Sequence, residues 1–335
     1  MYDLVSVAST PDLLRVVAVP VFAWAAVRDI KTRRVSSAVW MPLTALAAVL
    51  FVWDAVVAYR AGGLLWSQEF LIPATISLGV VVPLAYLFWW FGGFGGADAK
   101  ALLVLGLLFP TFPSYVVGAL AFPLGSTELL SPFSLTIVTN GVLVGALLPV
   151  ALALRNAAAG RLTPVMALGW PVRWDAIETT HGRLLETTEG RTWSGLDLDA
   201  LRMYLRWRGT DLETLRGAPD RYRDPASLPE NPNPPTDGAV TAAASTDGGA
   251  GEPAPDTPEE PPTPDTLEDP WGAAAFLEDI EGTAYGTDPQ TLREGLEVVV
   301  EKDSVWVSPG TPFLVPIFVG LLIALVYGDL LLSVL

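Results

Sequence analysis

The chain has 335 residues, 51% of them hydrophobic, yet it carries a formal net charge of −16. It contains no cysteine, which excludes disulfides, a thiolate nucleophile and Cys-ligated zinc. The single histidine, His181, excludes a histidine metal cluster and leaves any Ser-His-Asp chemistry resting on one residue.

Hydrophobicity and acidity occupy different regions. Apolar runs long enough to cross a bilayer, about 20 residues each, fill most of 13–155 and return at 311–328, while the acids concentrate between them. The predicted fold class is an α-helical polytopic membrane protein with six transmembrane helices and a cytoplasmic α+β insert containing a disordered linker. The lipid bilayer is thus one expected partner. Acids outnumber the few lysines (Lys31, Lys100, Lys302), a balance that argues against nucleic acid and fits adaptation to high salt, where screening makes a large negative charge tolerable.

The first apolar run, Leu13 to Val27, has Asp3 and Asp12 before it and Arg28, Lys31, Arg33 and Arg34 after it. That asymmetry puts its C-terminal end in the cytoplasm and argues against a secretory signal. Arg15, at the outer end, is expected to snorkel. Ser36 or Ser37 caps a second helix running to Tyr59, with Trp40 and Trp53 near its ends. The third helix, Phe70 to Phe91, is uncharged. The fourth starts at Asp98, with Pro110 and Pro113 expected to kink it. The fifth, Phe133 to Leu154, returns to Arg155 and Arg161.

The predicted divisions are a membrane domain over 1–155, a soluble region over 156–223, a disordered acidic Pro-rich linker over 224–268, a second soluble region over 269–310 and a sixth helix over 311–335. Within the soluble part, Trp174 to Ile177, Gly182 to Glu186 and Arg191 to Trp193 read as strands, and Leu198 to Arg208 as an amphipathic helix. Leu296 to Val300 and Val305 to Val307 read as a hairpin.

Between the third and fourth helices lies Phe91-Gly92-Gly93-Phe94-Gly95-Gly96-Ala97-Asp98-Ala99-Lys100. Four glycines in six residues permit tight turning and close approach, either to a neighbouring helix or to an extended substrate. Asp98 reads equally as an N-cap. Asp29, at the end of the first helix, reads by itself as a solvated interfacial charge. Connectivity brings the two acids to the same cytoplasmic face.

The surroundings of these two aspartates, Asp29-Ile30-Lys31-Thr32-Arg33-Arg34 and Gly95-Gly96-Ala97-Asp98-Ala99-Lys100, resemble the archaeal prepilin and preflagellin peptidases, membrane aspartic peptidases of the GxGD type. The likeness extends to Leu108-Phe109-Pro110 with Pro113, and to Val307 through Pro316. It covers the membrane part well and the insert poorly. Ala97 stands where the broader class has Gly, as in archaeal members.

The resemblance implies catalytic Asp29 and Asp98, a substrate-binding role for Gly92, Gly93, Gly95 and Gly96, and no cofactor or metal. It implies prepilin and prearchaellin substrates carrying class III signal peptides, cleaved at the cytoplasmic face of the cell membrane. The N-methyltransferase activity of bacterial relatives goes with a paired CxxC motif, so peptidase activity alone is expected here. Asp54 and Asp329, near outer helix ends, are expected to tolerate Asn. A proton- or ion-coupled transporter using Asp29 and Asp98 as relay groups is the competing reading, although transporters place such groups near the midplane between repeats. A membrane scaffold is a third reading, and it should tolerate loss of either acid.

Overall fold

A computed structural model describes residues 7–91, 95–125, 131–234, 236–240, 269–280, 284–310 and 312–331. The chain divides into two compact units, Met1–Leu148 with Thr311–Leu335, and Pro149–Gly310.

The first unit is helical. Helix α1 (Thr10–Arg15) is followed, after a two-residue break, by α2 (Ala18–Thr32). Pro20 explains the break, because it has no N–H to give to Val16. A short 3-10 turn, Ser37–Val39, leads into α3 (Trp40–Ala61). Helix α4 (Leu65–Trp90) contains two widened π-type stretches, Leu65–Leu71 and Ser77–Val81. Each precedes a proline, Pro73 or Pro83, whose missing N–H the wider turn accommodates.

Helix α5 (Gly96–Leu108) ends before Pro110. The expected kink is therefore a stop, and the chain continues into a small hairpin of β1 (Tyr115–Val117) and β2 (Leu120–Phe122). Helix α6 (Phe133–Ala158) carries the chain out of the first unit.

Three helices, Ser37–Ala61, Leu65–Trp90 and Phe133–Ala158, are long and apolar enough to cross a membrane. Their outward positions are apolar too, with Val49, Val52, Leu147 and Leu154 exposed. On this surface there is no polar face to meet water, so the protein has membrane character. The other three expected spans correspond to shorter elements, α2, α5 and the final helix Leu314–Val326.

A single apolar core made by Phe22, Trp40, Leu50, Leu105, Phe109, Phe133, Ile137, Ile317 and Leu321 joins these helices. Small residues permit the closest crossings. A Cβ on Gly320 would stand 2.5 Å from the Gly141 nitrogen, so α6 and the final helix meet backbone to backbone.

The second unit is α+β. Its antiparallel sheet has the order β3-β7-β4, formed by β3 (Trp170–Arg173), β4 (Arg183–Leu184) and the central β7 (Ser304–Ser308). A second small ribbon pairs β5 (Glu186–Thr187) with β6 (Gly190–Arg191). Against these pack α7 (Leu198–Arg208), α8 (Leu212–Gly217), α9 (Pro219–Arg223), α10 (Ala273–Asp279) and α11 (Pro289–Glu301). One core holds Leu201, Tyr204, Leu205 and Leu215 from before the linker and Trp271, Phe276, Leu292, Leu296, Val299 and Val305 from after it. The two soluble regions separated in sequence thus fold as one body.

Three sequence expectations change here. Leu296 to Val300 is helix, because Leu292, Leu296 and Val299 form one apolar stripe at helical spacing, and only Ser304–Ser308 is strand. Trp174–Thr179 is a 3-10 segment that follows β3. Residues 224–234 and 236–240, expected to open the linker, lie along the unit. Asn233 Nδ2 donates to the Arg206 carbonyl at 2.9 Å, and Arg202 Nε donates to that of Gly238 at 2.6 Å. Residues 241–268, the rest of the expected linker, lie outside those described.

Asp288 caps α11 by accepting the Thr291 N–H at 2.7 Å, which holds its carboxyl below the usual carboxylate range. A depressed folded value gives stability that is present above the unfolded pKa, about 4, and lost as pH falls through the folded value. We expect Asp288→Ala to cost about 1 kcal/mol at neutral pH, read as a lower thermal midpoint. The difference from the parent should close at acid pH.

Candidate active site

Asp29 lies in the last turn of α2 and is 8% exposed. Its Oδ2 accepts the backbone N–H of Leu314 at 3.3 Å. Leu314 is the first residue of the final helix, α12 (Leu314–Val326), whose opening N–H groups have no partners within the helix. A carboxylate is the natural group to meet them, since the partial positive charge of a helix N-terminus favours an anion. Asp29 and α12 are brought together by apolar contacts, with Phe22 and Ala25 of α2 in one cluster with Leu314, Ile317 and Leu321. The charge of Arg33, which follows α2 in a left-handed conformation at φ +55°, also acts on Asp29.

Asp98 stands in the first turn of α5 and is partly exposed. The N-cap is Gly95, and Asp98, three residues on, turns its Oδ2 back to accept the Gly95 N–H at 3.1 Å. That is the returning half of a capping box. Asp98 lies within electrostatic reach of Asp29. Each is received by the N-terminus of a helix, Asp98 by its own and Asp29 by that of α12.

The glycines divide. Gly92 and Gly93 lie outside the described residues. Gly95 and Gly96 are exposed, and a Cβ on Gly95 would stand 3.1 Å from the Asp98 Oδ2. Gly95 therefore has a local duty, giving the carboxylate room to lie over its backbone. On the next turn Lys100 Nζ donates to Ser37 Oγ at 2.5 Å, which ties the start of α5 to the start of the helix containing α3.

Sequence reasoning missed two features. One is the Leu314 N–H, a backbone group that no side-chain pattern announces. The other is an ionic cluster near the far end of α5, where Arg15, instead of snorkelling, is 2% exposed and pairs with both Asp12 and Asp54. Asp329 is also buried, accepting from Thr136 Oγ1 at 3.2 Å. Each carries a structural load, which removes the grounds for treating Asp54 and Asp329 as silent controls.

Comparison with known proteins matches residues 16–150 to the type IV leader peptidase family and residues 278–330 to the archaeal peptidase A24 C-terminus type II. The first match contains Asp29 and Asp98, and the second contains Leu314. Over residues 16–150 the chain is thus similar to the type IV leader peptidase family. A preflagellin peptidase from Methanococcus voltae is 26% identical over 136 residues, covering 41% of this chain and 54% of that protein. The chain thus spans about half the length of this relative. The stretch between the two matches, residues 151–277, lies in the second unit.

Asp54→Asn should lower the thermal midpoint, because it leaves the Arg15 guanidinium buried with one carboxylate fewer; a charged hydrogen bond of this kind is worth roughly 1.5–3 kcal/mol. Glu69→Gln, at an exposed position on a cavity that Asp54 also lines, should leave the midpoint in place. Thermal unfolding of the purified protein in detergent distinguishes the two.

Proposed function

We propose that this protein is a membrane aspartic endopeptidase that removes class III signal peptides from prepilins and prearchaellins, with no N-methyltransferase activity. The observation that supports this reading is that Asp29 and Asp98 each accept a backbone N–H at a helix N-terminus of the first unit, within electrostatic reach of one another. The match of residues 16–150 to the type IV leader peptidase family supports it.

Two carboxylates held close do not both ionise readily, so the pair retains one proton. The ionised member takes a proton from water, whose oxygen attacks the substrate carbonyl carbon. The protonated member donates to the carbonyl oxygen. Collapse of the tetrahedral species breaks the C–N bond as the departing amine takes up the proton held by the first carboxylate and a hydroxyl of the intermediate returns its proton to the second. The first carboxylate is left free for another water, and the titration belongs to the pair.

The substrate class fits the site's position at the end of the helices. A prepilin carries a short basic segment before an apolar helix, so its scissile bond lies at the membrane boundary where Asp29 and Asp98 stand. In our reading the chain crosses the membrane six times, with an external N-terminus. The basic residues 28–34, Lys100, Arg155 and Arg161 then lie on the cytoplasmic side. The Pro149–Gly310 unit is then cytoplasmic.

Asp29→Asn and Asp98→Asn are each expected to abolish cleavage of a co-expressed prepilin, seen as loss of the mobility shift, with membrane insertion unchanged. Gly95→Ala should slow it by about tenfold, since the added Cβ displaces a catalytic carboxylate by a fraction of an ångström. Retained cleavage in either Asn variant rules out the aspartic mechanism.

Topology has its own test, helped by the absence of native cysteine. Single cysteines at Ser67 and Ser245 should label with an impermeant maleimide from outside and only after lysis, respectively. Labelling of Ser245→Cys in intact cells contradicts the cytoplasmic placement.

A further inference from the structure

The ionic cluster around Arg15 joins the two helical segments that carry the aspartates. Arg15 closes α1, on the strand of chain that continues into α2 and Asp29. Its Nε donates to the carbonyl of Leu108 at 2.7 Å, and Leu108 is the last residue of α5, the helix that begins beside Asp98. The last carbonyls of a helix have no partners within it, so this bond caps α5 from outside.

The guanidinium is held in turn from two sides. Nη1 donates to Asp12 Oδ1 at 2.6 Å, and Nη2 pairs with Asp54 of α3. Asp12 extends the junction beyond α5. Its Oδ2 accepts from Ser9 Oγ at 2.7 Å and from the Ser114 N–H at 3.4 Å, and its carbonyl accepts from the Tyr115 hydroxyl at 3.0 Å.

We propose that Arg15 is a positioning residue for the active site: by bonding the Leu108 carbonyl it fixes the axial offset between the Asp29 segment and the Asp98 helix. Helices packed through apolar surfaces slide at little cost, because one set of apolar contacts replaces another. A buried charged donor aimed at a single carbonyl has no such alternative, since slippage strands both groups without water.

The lever is long. Arg15 lies roughly 20 Å along the helix axis from Asp29, and Leu108 roughly 15 Å from Asp98, at 1.5 Å per residue. Helix α5 transmits an axial displacement along its length, and α1 passes one to α2 through Val16 and Val17, which both keep right-handed helical backbone across the break. A shift at the Arg15 end therefore reappears between the two carboxylates. Misplacement by about 1 Å costs on the order of 100-fold in rate.

The functional half of this inference rests on the peptidase reading; the geometric half does not. The cysteine-free chain allows both to be tested with Arg15→Met and Arg15→Lys. Spin labels at Ile30→Cys and Leu103→Cys, both exposed positions, report the offset of α2 and α5 in the full-length protein in lipid vesicles. The parent should give one narrow distance distribution.

Arg15→Met should broaden or shift it and lower kcat for prepilin cleavage by tenfold or more with KM within threefold. Arg15→Lys keeps a cation able to reach the carbonyl and should restore a narrow distribution and part of kcat. If Arg15→Met does not insert or fold, the decision falls to Arg15→Lys against the parent. A distribution as broad as that of a fully uncoupled pair, together with unaltered kcat, then overturns the proposal. An unchanged distribution in Arg15→Met overturns it as well, and so does a changed one with parental kcat. Failure of the parent to cleave any prepilin removes the peptidase reading and leaves the distance arm to decide the geometric claim.

Discussion

A carboxylate in a membrane-embedded bundle persists only where something replaces the water it has lost. Both aspartates meet that constraint in the same way, through backbone N–H groups at helix N-termini. Asp98 uses Gly95 of its own helix, whereas Asp29 uses Leu314, from the opposite end of the sequence. The second bond makes the site depend on closure of the bundle. Helix α12 has to pack against α2 and α6 before Asp29 has its partner. The close approach of Gly320 to Gly141 and the apolar contacts of Ile317 and Leu321 are what bring it there.

Such an arrangement holds the acids without neutralising them. A close arginine on each carboxylate would give stable ion pairs and remove their tendency to share a proton. Backbone N–H groups supply weaker, partial charge. Among the described residues of the first unit, strong ion pairing lies around Arg15, Asp12 and Asp54, which join α1, α3 and α5. Chemistry and rigidity are thereby separated along the helices.

Much of this was legible in the sequence. Charge-free runs identified the helices, and the amphipathic period identified α7 at Leu198–Arg208 to the residue. The glycine run and its following aspartate marked where to look for the site. What stayed hidden was tertiary. Leu296 to Val300 is rich in β-branched residues, yet its contacts with the core impose a helix that begins well upstream at Pro289. Arg15 read as a snorkelling side chain because its partners, Leu108 and Asp54, are distant in the chain. Gly95 read as a substrate contact; its closeness to the Asp98 carboxylate depends on backbone geometry that composition does not encode.

The central claim is that Asp29 and Asp98 act as one proton-sharing pair. The most direct measurement is the pH–rate profile of the purified protein in vesicles, cleaving a prepilin at saturating concentration. A pair that works with one proton between two carboxylates gives a bell: the rate rises as the first proton leaves and falls as the second does. A rate that rises with pH to a plateau and stays there means a single general base, and contradicts the account.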